Sequence, residues 1–126
     1  MNHFDPNQGA ILVRTLLSGQ NGDTVVYLAL DTGSTSTSIN KGVLEAIGYD
    51  VETLSPSVMI TTGSGIENVP RLNVNSIEAL GQIRRNYSLI AHSLPPTASV
   101  DGLLGLDFFR NHILTLDFKN GQILLE

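Results

Sequence analysis

The chain has no cysteine, which excludes disulfide staples, thiolate metal sites and a cysteine nucleophile. That lack fits a reducing compartment, and exported bacterial proteins share it often enough that it proves none. Basic residues are scarce: 7 Lys+Arg stand against 12 Asp+Glu for a formal charge of -5, and the only basic doublet is Arg84-Arg85. With no phosphate-tracking stripe and no aromatic platform, nucleic acid is not expected as a partner. No apolar run approaches the ~18 residues of a membrane span, and "MNHFDPNQGA" lacks a basic segment followed by an apolar one. The expectation is a soluble, cytoplasmic protein with no membrane partner. His3, His92 and His112 stand apart, with no spacing that would hold a metal.

What is present is a globular composition, 41% hydrophobic and 15% charged over 126 residues, enough for one domain spanning 1-126. "AILVRTLL" (10-17) and "TVVYLAL" (24-30) read as strands joined at Asn21-Gly22, a hairpin signal. Asn40 offers a helix cap, Val43, Leu44 and Ile47 fall at helical spacing, and Gly48 offers a stop. Later strand-like pieces recur between turn residues, the last two joined by Asn120-Gly121, while Pro95-Pro96 interrupts the chain. A short helical turn is expected over 107-111. The pattern is that of an all-β domain with one or two short helices.

The chemistry concentrates at "YLALDTGSTSTSIN", where an apolar strand delivers a lone carboxylate, Asp31, onto the turn Thr32-Gly33-Ser34. Backbone N-H groups of such a turn can hold the acid, Gly33 permits close approach, and the Ser34 hydroxyl can steady its rotamer. Read alone, this is equally an ordinary Asp turn. Likewise "TTGSG" within 59-69 is either a surface hairpin or a mobile flap, and it lacks the Lys-Ser/Thr that would make it a phosphate loop. In "DGLLGLDFF", Leu103 and Leu104 are expected in the core, Asp101 reads as a turn residue and Asp107 as a helix cap.

The order of these three elements resembles the retropepsin-like family, the single-domain aspartic proteases, over about 10-126, and most the bacterial and ubiquitin-shuttle-type members. The resemblance implies an acid-protease β-barrel with a flap. It implies that Asp31 is the catalytic acid, supported by Thr32, whose hydroxyl braces the two turns of a dimer, and by Gly33 and Ser34. By the same resemblance Thr61, Thr62, Gly63, Ser64, Gly65 and Ile66 form the substrate-covering flap, and Leu103-Leu104-Gly105 passes beside the catalytic turn. The family needs two acids and this chain carries one such turn, so the resemblance implies a homodimer acting on a peptide or protein substrate, without metal or organic cofactor.

Two places depart from the viral pattern. Where those enzymes pair an acid after the turn with an Arg after the later glycine, this chain has Thr35, Ser36 and Leu106, so both halves of the ion pair are missing together. The terminal "GQILLE" fits either a dimer-interface strand, as chain ends often supply in the family, or a strand inside the monomer. The expected function is an aspartic endopeptidase acting on extended, largely apolar segments. The alternative is a non-catalytic dimerisation or peptide-binding module. A serine hydrolase built on Ser34 lacks both the Gly-x-Ser-x-Gly setting and an evident base.

Overall fold

The computed structural model describes residues 2-95 and 97-126, so Pro96 of the expected Pro95-Pro96 break lies outside it. A short β1 (Asn2-His3) opens the chain. β2 (Leu12-Gly19) follows, with Val13, Thr15 and Leu17 buried and Arg14 in solvent, the two-residue period of a strand with one face in the core. The chain reverses through Gln20-Asn21 into β3 (Gly22-Leu30), Gly19 opposite Gly22. Gly22, at φ 121°, therefore starts the second strand rather than sitting at the hairpin tip.

β4 (Ser38-Asn40) leads into α1 (Lys41-Ala46), where the Asn40 side chain accepts a hydrogen bond from the Gly42 N-H at 3.3 Å. That helix ends as expected, with Gly48 at φ 104° and Leu44 and Ile47 buried. β5 (Val58-Thr62) and β6 (Gly65-Val69) form a separate hairpin, and β7 (Arg71-Ala79) and β8 (Gln82-His92) a longer one. β9 (Gly102-Leu104) and α2 (Leu106-Phe109) precede the final pair, β10 (Leu114-Asp117) and β11 (Gln122-Leu125).

Six strands close into a barrel in the order β2-β3-β9-β4-β8-β7, which joins back to β2. Closure leaves no free edge in that sheet. Its interior holds Leu17, Leu28, Ile39, Ile77, Leu89, Leu104 and Phe108, all without exposure. Phe108 enters from α2, with the Arg84 guanidinium 4.7 Å from its ring centre on one side and Tyr87 edge-on at 6.2 Å. No helix among the described residues is long and apolar enough to cross a membrane.

One expectation is corrected here, and one open alternative is resolved. The second helix spans Leu106-Phe109, earlier than 107-111, and Asp107 does not cap it: Gly105 occupies the N-cap position without a side-chain bond, because the Asp107 carboxylate is engaged elsewhere. "GQILLE" is a strand inside the monomer. β11 is the middle strand of a three-stranded sheet, with β1 on one side and β10 on the other. Among the described residues the outer strands of that sheet are β1 and β10.

Candidate active site

Asp31 lies one residue beyond β3, and its placement follows from that strand's parallel pairing with β9. The ladder runs Leu28 to Gly102, Ala29 to Leu103 and Leu30 to Leu104, and the Asp31 N-H continues it by donating to the Leu104 carbonyl at 2.9 Å. The chain then turns: the Ser34 N-H donates to the Asp31 carbonyl at 3.2 Å, and the Gly33 N-H donates to Asp31 Oδ1 at 2.9 Å. A backbone donor thus fixes one carboxylate oxygen and leaves the other free. The Ser34 hydroxyl, expected to steady the acid, instead donates to the Ser36 carbonyl at 2.9 Å and shapes the loop. Thr32 is exposed at the tip of the turn, where a second chain could reach it.

The loop after Asp31 is locked to the second motif by residues far away in sequence. The Leu106 N-H donates to the Ser34 carbonyl at 2.8 Å and the Asp107 N-H to the Thr35 carbonyl at 3.2 Å. The fully buried Thr37 donates its hydroxyl to Asp107 Oδ1 at 2.7 Å and accepts from the Gly105 N-H at 3.1 Å, while its own N-H reaches both Asp107 oxygens at 3.0 Å. These bonds occupy the place where an acid-Arg ion pair was missing from the sequence. Gly105 is required by space: a Cβ there would lie 2.7 Å from the Ser36 carbonyl carbon and 2.8 Å from the Ser34 carbonyl oxygen. Tyr87 lies next to this network, its hydroxyl buried without a hydrogen-bond partner. Burial first, and the Asp107 charge second, push it up to about 12.

A cleft of about 580 Å³ opens beside Asp31. Its walls are the Gly33-Ser36 loop and Leu103 on one side, and Val58, Met59, Ile60 and Thr61 of the β5-β6 hairpin on the other, with Arg71 and Ile90 completing it. Leu104 is core as expected, whereas Leu103 is half-buried and faces this cleft. Of the residues assigned to the flap, Thr61 lines the cleft. Thr62, Gly63, Ser64, Gly65 and Ile66 form the tip beyond it, where Gly65 turns at φ 122° and the Ser64 N-H donates to the Thr62 hydroxyl at 3.2 Å. Met59 and Ile66 of this hairpin are each 70% exposed, apolar surface left uncovered among the described residues. Midway along the hairpin, Glu67 meets His92 of β8 at 2.8 Å.

Asp31 also borders a second hollow, of about 370 Å³, between the N-terminal segment and Phe118, which stacks edge-on against Phe4 at 5.5 Å. Asp31 is the only carboxylate lining the first cleft, and Asp101 points away, accepting from the Tyr27 N-H at 2.9 Å. Among the described residues no cluster of His, Asp or Glu is arranged to hold a metal. Sequence reasoning passed over Thr37, Arg71, Val58 and Ile90 as site residues. Thr37 stood inside a run of hydroxyl residues with nothing to mark it, and Arg71 only joins the site through strand pairing with Ile90.

A barrel of this topology, with an Asp-Thr-Gly turn held against an apolar-apolar-Gly strand beneath a hairpin, defines the acid-protease class. The sequence model of the family described as "gag-polyprotein putative aspartyl protease" matches residues 19-111, and the chain belongs to that family. No curated protein sequence matches the chain significantly. Solved structures with the same fold include a retropepsin-like aspartic protease from Rickettsia conorii, with a TM-score of 0.71 at 18% identity over 98% of this chain and 87% of that one. The retroviral protease-like domain of Ddi1 from Leishmania major superposes with a TM-score of 0.62 at 17% identity, covering 95% and 90% of the two chains. EIAV protease, in complex with the inhibitor HBY-793, gives 0.62 at 16% identity, covering 83% and 89%.

Proposed function

We propose that this chain is an aspartic endopeptidase that works as a homodimer, with Asp31 of each copy meeting across a twofold axis. The observation that carries the reading is the combination of one carboxylate, oriented by a backbone N-H, with a cleft that offers it no second acid. Two carboxylates at close range cannot both ionise, the documented behaviour of acid-protease dyads, so the pair retains one proton. The ionised member takes a proton from a water molecule, whose oxygen bonds to the scissile carbonyl carbon. The protonated member supports the oxyanion that forms. Collapse of the tetrahedral intermediate breaks the C-N bond, and the proton goes to the departing amine.

Three features support this reading. Thr32 is exposed at the tip of the turn, Asp31 opens toward a second hollow flanked by Phe4 and Phe118, and the β1 and β10 edges are unpaired. The cleft's Met59, Ile60, Ile90 and Leu103 favour apolar side chains, and the hairpin offers backbone groups to an extended peptide.

The test is cleavage of a peptide library at several pH values by wild type and Asp31→Asn, with mass determined by sedimentation. Cleavage that vanishes in a folded, dimeric Asp31→Asn protein is the expected result. A folded wild-type dimer that cleaves nothing at any pH would favour a peptide-binding module on the same fold.

A further inference from the structure

The cleft beside Asp31 contains one other charged side chain, Arg71. Arg71 is the first residue of β7, opposite Ile90 on β8, so it belongs to the rigid barrel wall and not to the hairpin that precedes it. Its guanidinium donates from Nη2 to the Ser36 hydroxyl at 3.1 Å and from Nη1 to the Ser88 hydroxyl at 3.2 Å. Both acceptors are neutral. Among the described residues no carboxylate lies within 4.0 Å of it, the ion pairs being Lys41 with Glu52 and His92 with Glu67. An arginine has five N-H donors in a planar fork suited to a carboxylate. Two serines hold this fork in place and leave donors unused, and the residue is exposed to the cleft.

We propose that Arg71 is a specificity-determining residue that receives an acidic side chain, Asp or Glu, of the peptide bound beneath the hairpin. This rests on the protease reading above and adds a substrate class to it: an extended, largely apolar segment carrying an acid at one or both of two positions that the twofold axis relates across the cut. The chain's formal charge of -5 repels acidic peptides in general, so the preference is local to this position. Gln in place of Glu keeps the shape and loses the charge-assisted bonds. The exposure of the site limits the gain, and about a two- to fivefold difference in kcat/KM is expected, on the order of that for an exposed ion pair.

The test uses pairs of extended, apolar peptides with Glu or Gln at each position in turn on either side of a central bond, on wild type, Arg71→Lys, Arg71→Gln and Arg71→Glu. The expected result is a Glu preference at two positions in wild type, one on either side of the cut as the twofold axis requires, partly kept in Arg71→Lys, abolished in Arg71→Gln, and turned toward Lys-bearing peptides in Arg71→Glu. An Arg71 that only braced Ser36 would change overall rates without changing these ratios. Cleavage with equal rates for Glu and Gln at every position would overturn the proposal and leave the protease reading intact. The same peptides with a hydroxyethylene group replacing the central bond are measured by calorimetry. A Glu preference in binding without any cleavage by wild type would sustain the Arg71 contact and reject the protease reading, whereas neither binding nor cleavage would reject both.

Discussion

Thr37 and Asp107, separated by 70 positions in sequence, are joined by a 2.7 Å hydrogen bond between hydroxyl and carboxylate. The same hydroxyl accepts from the Gly105 N-H, so a single buried oxygen links the loop after Asp31 to the strand and helix behind it. Replacing Thr37 by Val keeps the shape and removes both bonds. The Gly105 N-H is then left buried without a partner. A loss of about 2-3 kcal/mol in urea unfolding is expected, with reduced cleavage from a loosened Asp31 loop. A stability change within experimental error would show that the link is not structural.

Gly105→Ala should be more damaging to the site than its single methyl implies, since backbone atoms of Ser34 and Ser36 occupy the space. Backbone cannot rotate away as a side chain can. A loss of about 2-3 kcal/mol is expected from overpacking, and thermal unfolding of the purified variant checks it. Wild-type stability would contradict the close approach.

Tyr87→Phe is expected to keep or slightly raise stability, because the hydroxyl it removes is buried without a hydrogen-bond partner. The alkaline limb of the stability curve should also change. The phenol is raised in the folded state to about 12, so its contribution is fully present below the ordinary tyrosine value near ~10 and is lost as pH rises through the folded value. Unfolding midpoints of wild type and Tyr87→Phe between those two pH values should diverge, with the variant the flatter. Parallel curves would refute the assignment.

The two faces of β11 should respond differently. Ile123 is 1% exposed and Leu124 is 38% exposed. Ile123→Ala is expected to cost about 2-5 kcal/mol of fold stability. Leu124→Ala should leave unfolding of the protomer within ~0.5 kcal/mol. Chemical denaturation at low protein concentration, where association contributes least, separates the two effects.

Activity, if the dyad operates, should need one shared proton and decline as pH rises past the upper macroscopic pKa of the pair. Initial rates on one library-derived peptide across the pH range decide this. A rate unchanged from acid to alkaline conditions would rule the shared proton out.

Local order was legible in the sequence wherever it depends on neighbours in the chain. The two-residue alternation of β2, the Asn40 cap and Gly48 stop of α1, and the turn glycines at 65 and 121 each act through local backbone conformation. So did the Asp31-Thr32-Gly33 turn, whose Gly33 N-H reaches Asp31 within two residues. What tertiary structure alone decided are the partnerships of long separation. Asp107 read as a helix cap because capping is the local use of such a residue, and it serves Thr37 instead because the barrel brings β4 against β9. Leu103 read as core, and the closed sheet turned it to the cleft. Arg71 carried no local mark at all, and became a cleft residue only because β7 pairs with β8 and β8 with β4. Local chemistry fixed which residues could form a turn around an acid; barrel closure, which brings distant strands together, decided what surrounds that acid.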